Sequence, residues 1–90
     1  MSNESSLVIL VADDEAIVRS TIGDYLTDAG HEVVEACDGA QALATIDAQD
    51  VDLALVDVRM PGIDGLTLLE RVRAQAPEVA VVIVTAHGNM

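Results

Sequence analysis

Three stretches of this chain hold residues of a kind that do chemistry. Asp13, Asp14 and Glu15 form an acidic run just after the apolar residues 7–11 (LVILV). Asp57 follows a second apolar run, Leu53-Ala54-Leu55-Val56, and precedes a loop with Pro61, Gly62 and Gly65. Thr85 ends a third run, residues 80–84 (AVVIV). Each has an ordinary explanation by itself. Asp is a favoured turn residue, and acids at a helix start suit its positive end. Gathered in one crevice, however, such carboxylates cannot all stay ionised without a counter-charge. The chain has no Lys, and Arg59 alone is a poor neutraliser for three acids. A hard divalent cation with oxygen ligands fits better, Mg2+ above all, because it accepts a few protein ligands and keeps several waters. With phosphate oxygens held there, an aspartate can attack phosphorus in line and become an aspartyl phosphate. The Thr85 hydroxyl could then hydrogen-bond the new phosphoryl group.

Such a gathering needs elements that deliver distant residues to one edge. Residues 7–11 read as a central strand, being continuous, apolar and rich in β-branched side chains. From Ala16 to Ala29 the apolar residues Ile17, Val18, Ile22, Tyr25, Leu26 and Ala29 recur at helical spacing, predicting one buried face, with Gly30 as the stop. Residues 32–36 (EVVEA) predict an edge-side strand. Asp38-Gly39 marks a turn, and Ala40, Leu43, Ala44 and Ile46 a short second helix. Residues 53–56, with no alternation, predict a strand buried on both faces. Asp64 is placed to cap a third helix with Leu66, Leu69, Val72 and Ala76 on one face, closed by Pro77. Residues 80–84 predict the fourth strand. The order β-α-β-α-β-α-β means an α/β fold with a parallel sheet and right-handed crossovers. All strands then point the same way, so Asp13, Asp14, Asp57 and Thr85 emerge at one edge, where open α/β sheets bind ligands.

Composition sets limits. Ninety residues predict one small domain, 1–90. Hydrophobic residues make up 51% and Tyr25 is the only aromatic, so the core must be aliphatic. A formal charge of −12 argues against nucleic acid or an anionic membrane as a partner. The single Cys37 cannot form an internal disulfide, which points to a reducing, cytoplasmic setting. No apolar run reaches membrane-spanning length, and residues 1–6 are polar, unlike a signal peptide. Cys37 and Met60 read as packing residues, His31 as a solvated turn residue, and Arg71 and Arg73 as surface charges. His87 lies near the active edge but is a poor Mg2+ ligand, since that ion prefers oxygen.

The acid pair Asp13-Asp14, the strand-end Asp57, Met60-Pro61-Gly62 followed by Asp64-Gly65, and Thr85-Ala86 stand in the order found in the receiver domain of two-component response regulators. The chain resembles that family from Leu7 to about Met90. The resemblance implies a flavodoxin-like fold, here with strand order 2-1-3-4. It implies Asp57 as phosphoacceptor and Mg2+ bound by Asp14 directly, Asp13 through water, Asp57, and the backbone carbonyl of Arg59. Thr85 is the implied switch hydroxyl and a sensor histidine kinase the implied partner. Family members continue with a fourth helix, a fifth strand and a fifth helix, and carry a Lys before that strand which neutralises the phosphoryl group. This sequence resembles a receiver cut after strand four. Phosphotransfer is therefore expected to be weak. The uncharged fourth strand is expected to seek a partner, giving a homodimer completed by edge pairing or exchange of elements. The leading expectation is a signalling module, not an enzyme; a homodimerising module with an impaired switch is the alternative. Phosphohydrolases that use an aspartyl phosphate keep a general acid two residues after the nucleophile, where this chain has Arg59.

Overall fold

The computed structural model describes residues 6–84; Thr85, Ala86 and His87 lie outside the described residues. Seven elements alternate: β1 (Val8–Ala12), α1 (Ala16–Asp28), β2 (Glu32–Ala36), α2 (Gly39–Ala48), β3 (Leu53–Asp57), α3 (Gly65–Gln75) and β4 (Ala80–Val84). The strands form one parallel sheet in the order β2-β1-β3-β4. The alternating pattern predicts a parallel sheet, and this is the flavodoxin-like order that the family resemblance implies. Two registers matter for the site. Ala12 pairs with Val56, and Asp57 with Val84, so the residues that follow β1 and those that end β3 and β4 come out at the same edge.

The sheet has a well-covered face and a partly covered one. On the first, Leu10, Ala12, Ala54 and Val56 pack with Ala42 and Ile46 of α2 and Leu68 and Val72 of α3 into one buried cluster. This is where most of the aliphatic surface leaves water, the main favourable term in folding. The opposite face carries α1 over β1 and β2. Gly23, the buried residue of that helix, faces β2, where a Cβ would lie in ordinary contact with Val33 Cγ1 at 3.4 Å.

Three expectations are corrected here. β3 is not buried on both faces: Ala54 and Val56 are buried, but Leu53 and Leu55 only half-buried. Their neighbour Val82 is 46% exposed. The reason is that on that face α1 reaches only β1 and β2, and among the described residues no helix covers the same face of β3 and β4. In α1 the inward arc is Val18, Ile22, Gly23 and Leu26; Ile17 is 81% and Tyr25 75% exposed. At about 100° per residue, Ile17 falls on the side opposite that arc and Tyr25 at its margin. In α3 the buried residues are Leu68 and Val72, whereas Leu66 is exposed. With Gly65 pressed against the sheet, the inward line runs 65, 68, 72, and Leu66 is turned away from it.

Local chemistry sets the element ends. Asp38 and Asp64 cap α2 and α3 by accepting from Gln41 N–H and Thr67 N–H, both at 2.8 Å. Hydrogen bonding from Thr67 holds the Asp64 carboxyl below the ordinary carboxylate value. Gly30 closes α1 with φ +99°, a left-handed conformation that favours glycine. His31 is half-buried, and its Nδ1 accepts from Leu7 N–H at 3.1 Å. It thus ties the start of β1 to β2 instead of standing free in solvent.

Candidate metal and phosphoryl site

β1 delivers Asp13 and Asp14 to the sheet edge, and β3 delivers Asp57 beside them. One carboxylate oxygen from each of the three lies within 4.8 Å of the other two. Asp13 and Asp57 are each 5% exposed, while Asp14 is open to solvent. Burial pushes the Asp13 carboxyl above its ordinary value. The Glu15 N–H, donating to Asp13 Oδ1 at 2.9 Å, opposes that rise, and the charges of Asp57, Asp14 and Glu15 add to it. Among the described residues no cation is bonded to the Asp13 carboxylate, which has acids for neighbours and is short of positive charge. Three hard oxygen donors, two of them shielded from water, therefore suit a hard divalent ion such as Mg2+.

Asp57 is held from behind. Its Oδ1 accepts from Arg59 N–H at 3.2 Å. The chain after it is pinned twice, with Val58 N–H donating to Val84 O at 3.2 Å and Gly65 N–H donating to Val58 O at 3.0 Å. The last contact needs glycine. A Cβ at position 65 would stand 2.7 Å from the Asp57 carbonyl oxygen and 2.8 Å from Val58 Cα. The first turn of α3 is thus built directly against the backbone of Asp57. Gly62, with φ +77°, supplies the left-handed residue in the loop between them.

The acidic run is also more structured than an N-cap. Glu15 occupies the cap position of α1 but its side chain makes no capping hydrogen bond. Asp13 binds the Glu15 N–H instead, and its own N–H donates to Ala36 O at 3.1 Å. Two further residues went unnoticed in the sequence. Arg19 donates from a guanidinium NH to the main-chain carbonyl of Asp13 at 2.7 Å, and from Nε to Glu35 Oε1 at 3.2 Å. The available signal was weak: a lone cation one turn into a helix that follows an acid pair. Beside the site, Glu15, Ala16, Ile17 and Val18 line an open cavity of about 500 Å³. The arrangement brings together Asp13, Asp14 and Asp57 as expected and sets the Arg59 backbone next to them. Thr85 directly follows the last described residue of β4.

Comparison with known proteins agrees with this geometry. The family described as response regulator receiver domain matches residues 9–90. Sporulation initiation phosphotransferase F of Bacillus subtilis is 32% identical over 90 residues, all of this chain and 70% of that protein. A cyclic di-GMP phosphodiesterase of Thermotoga maritima is 36% identical over 83 residues, 92% of this chain but 22% of that protein. Among solved structures, the response regulator TrrA of Thermotoga maritima, in complex with Mg2+-BeF, superposes with a TM-score of 0.86 at 32% identity. That match covers 91% of this chain and 71% of the TrrA chain. The chain thus spans between about a fifth and seven tenths of these relatives.

Proposed function

Because this chain belongs to the response regulator receiver domain family, we propose that it accepts a phosphoryl group on Asp57 from the phosphohistidine of a sensor kinase. The observation that carries this reading is the placement of three carboxylates, from two strands far apart in sequence, within 4.8 Å of one another. An Asp57 oxygen forms a bond to phosphorus as the phosphorus–nitrogen bond of the phosphohistidine breaks, and the freed imidazole takes up a proton from solvent. Asp13, Asp14, Asp57 and the main-chain carbonyl of Arg59 would hold Mg2+, which when bound offsets charge on the transferring oxygens. The Arg59 N–H bond keeps Asp57 oriented, while the close approach of Gly65 keeps its backbone in place. Thr85, outside the described residues, is assigned the switch hydroxyl by its position after β4. The exposed Ile17, beside the cavity at the start of α1, offers the kinase an apolar foothold next to the acids.

The module acts in signalling and turns over no metabolite; a slow loss of the phosphoryl group to water is its only hydrolysis. Arg59, two residues beyond the nucleophile, cannot act as the general acid of a phosphohydrolase. No helix among the described residues is long and apolar enough to cross a membrane, and the charge of −12 disfavours nucleic acid. We place the chain in the cytoplasm, where kinase and Mg2+ meet it. Incubation with acetyl phosphate and Mg2+ tests the reading: one phosphoryl group should appear by intact mass on the wild type and none on Asp57→Ala. Equal labelling of both would sink it.

One observation favours a second property, self-association. Among the described residues β4 is an edge of the sheet, carries no charge, and leaves Val82 46% exposed beside half-buried Leu53 and Leu55. The other edge, β2, bears Glu32 and Glu35, which discourage pairing. Two copies could join through β4 and cover these residues in a two-fold arrangement.

A further inference from the structure

Asp13 is held at three points, and one of them comes from a side chain. Its N–H donates to Ala36 O, its Oδ1 accepts from Glu15 N–H, and its carbonyl accepts from Arg19 at 2.7 Å. That carbonyl belongs to the peptide joining Asp13 to Asp14. A peptide unit is planar, so fixing its oxygen fixes the plane from which the Asp14 side chain departs. Asp14 itself is exposed, and no hydrogen bond steadies its carboxylate among those described. Arg19 is in turn anchored by Glu35 at the end of β2, through Nε at 3.2 Å.

We infer that Arg19 is a positioning residue for the divalent-cation site, orienting the Asp13–Asp14 peptide from behind by a guanidinium held between the Asp13 carbonyl and Glu35. The inference rests on the cation-site reading above. Three features support it. The Arg19 side chain is 17% exposed, so its place is defined by packing and not only by a surface charge. The two donors are separate nitrogens held in one rigid plane and reach different partners, a spread that the single nitrogen of an ammonium does not reproduce. The ion pair with Glu35, at 43% exposure, contributes little to stability by itself, which leaves orientation as its larger effect. The arrangement also explains how a cation can stand near the acids without filling their site: Arg19 faces a main-chain oxygen, and the three carboxylates remain free for the ion.

Charge and position predict opposite signs, which makes the inference testable. Arg19→Gln removes a positive charge near three acids, so charge alone predicts tighter binding of a divalent ion. Loss of positioning predicts weaker binding, by about tenfold, the lower end for residues that orient metal ligands. Binding of Mn2+ alone to the 90-residue chain would be followed by the electron paramagnetic resonance of the free ion, with Mg2+ as competitor and circular dichroism to verify folding. Arg19→Lys keeps the charge and loses the fork, and should also weaken binding. A folded Arg19→Gln chain that binds Mn2+ as well as or better than wild type overturns the inference, as does wild-type affinity in Arg19→Lys. If wild type and Asp57→Asn bind Mn2+ equally poorly, the cation site itself is refuted, a different failure.

Discussion

Replacing Gly65 by Ala adds one methyl group where none fits. The new Cβ would sit 2.7 Å from the Asp57 carbonyl oxygen and 2.8 Å from Val58 Cα, about 0.7 Å short of ordinary contact. Both obstacles are backbone, so no side chain can swing aside; either α3 lifts from the sheet or the chain at Asp57 moves. Gly65 has no positive φ, so the cost is steric. Overpacking of this kind costs about 1–3 kcal/mol, and alanine's helix preference returns little at the first residue of a helix. For a domain of this size each kcal/mol lowers the melting temperature by about 4–8 °C. The Asp57 carboxylate should shift with its backbone, and a displacement of several tenths of an ångström should slow phosphoryl uptake by roughly tenfold, since about 1 Å can cost a hundredfold. Thermal melts by circular dichroism and the rate of labelling by acetyl phosphate, measured below the melt, read the two effects. Gly30→Ala is the control. It strains a residue at φ +99° with nothing within 4 Å of the added carbon, so it should lower stability by about 1 kcal/mol and leave labelling unchanged. The reasoning is refuted if Gly65→Ala melts and labels like wild type, or loses no more labelling than Gly30→Ala.

Two other predictions follow from the acids and from the β4 edge. Because the folded Asp13 carboxyl is raised above its ordinary value, its contribution to stability is fully present below that value and lost as pH rises through the raised one; Asp13→Asn should therefore raise the melting temperature at pH 7 in EDTA and bind Mg2+ more weakly, and a lower melting temperature there would contradict the electrostatic account. If β4 joins two copies, sedimentation at high protein concentration should give a dimer and Val82→Lys a monomer; a wild-type monomer under those conditions removes the second property.

The sequence was informative where local pattern and final environment coincide. Continuous β-branched runs became β1 and β4, the cap Asp64 works as its position suggests, and parallel geometry carried Asp13, Asp14 and Asp57 together. It misled where the environment depends on what lies across the sheet. Leu53 and Leu55 have the composition of a fully buried strand, yet α1 covers only β1 and β2. Ile17 and Tyr25 widen the apolar arc of α1 beyond what the sheet can bury, and in α3 the close seat of Gly65 selects Leu68 over Leu66. Arg19 and Glu35 are sixteen residues apart and meet only because α1 packs over β2, so no local signal announces them. Gly65 reads in the sequence as one more loop glycine, and its contact with Asp57 is visible only in three dimensions.

The central claim concerns which atom takes the phosphoryl group. Chain labelled by acetyl phosphate in Mg2+ can be reduced with borohydride, which converts an aspartyl phosphate to homoserine, and the product located by peptide mass spectrometry. The account predicts homoserine at position 57 alone, and none when EDTA replaces Mg2+. Homoserine at position 13 or 14, or labelling that persists without a divalent ion, would contradict it.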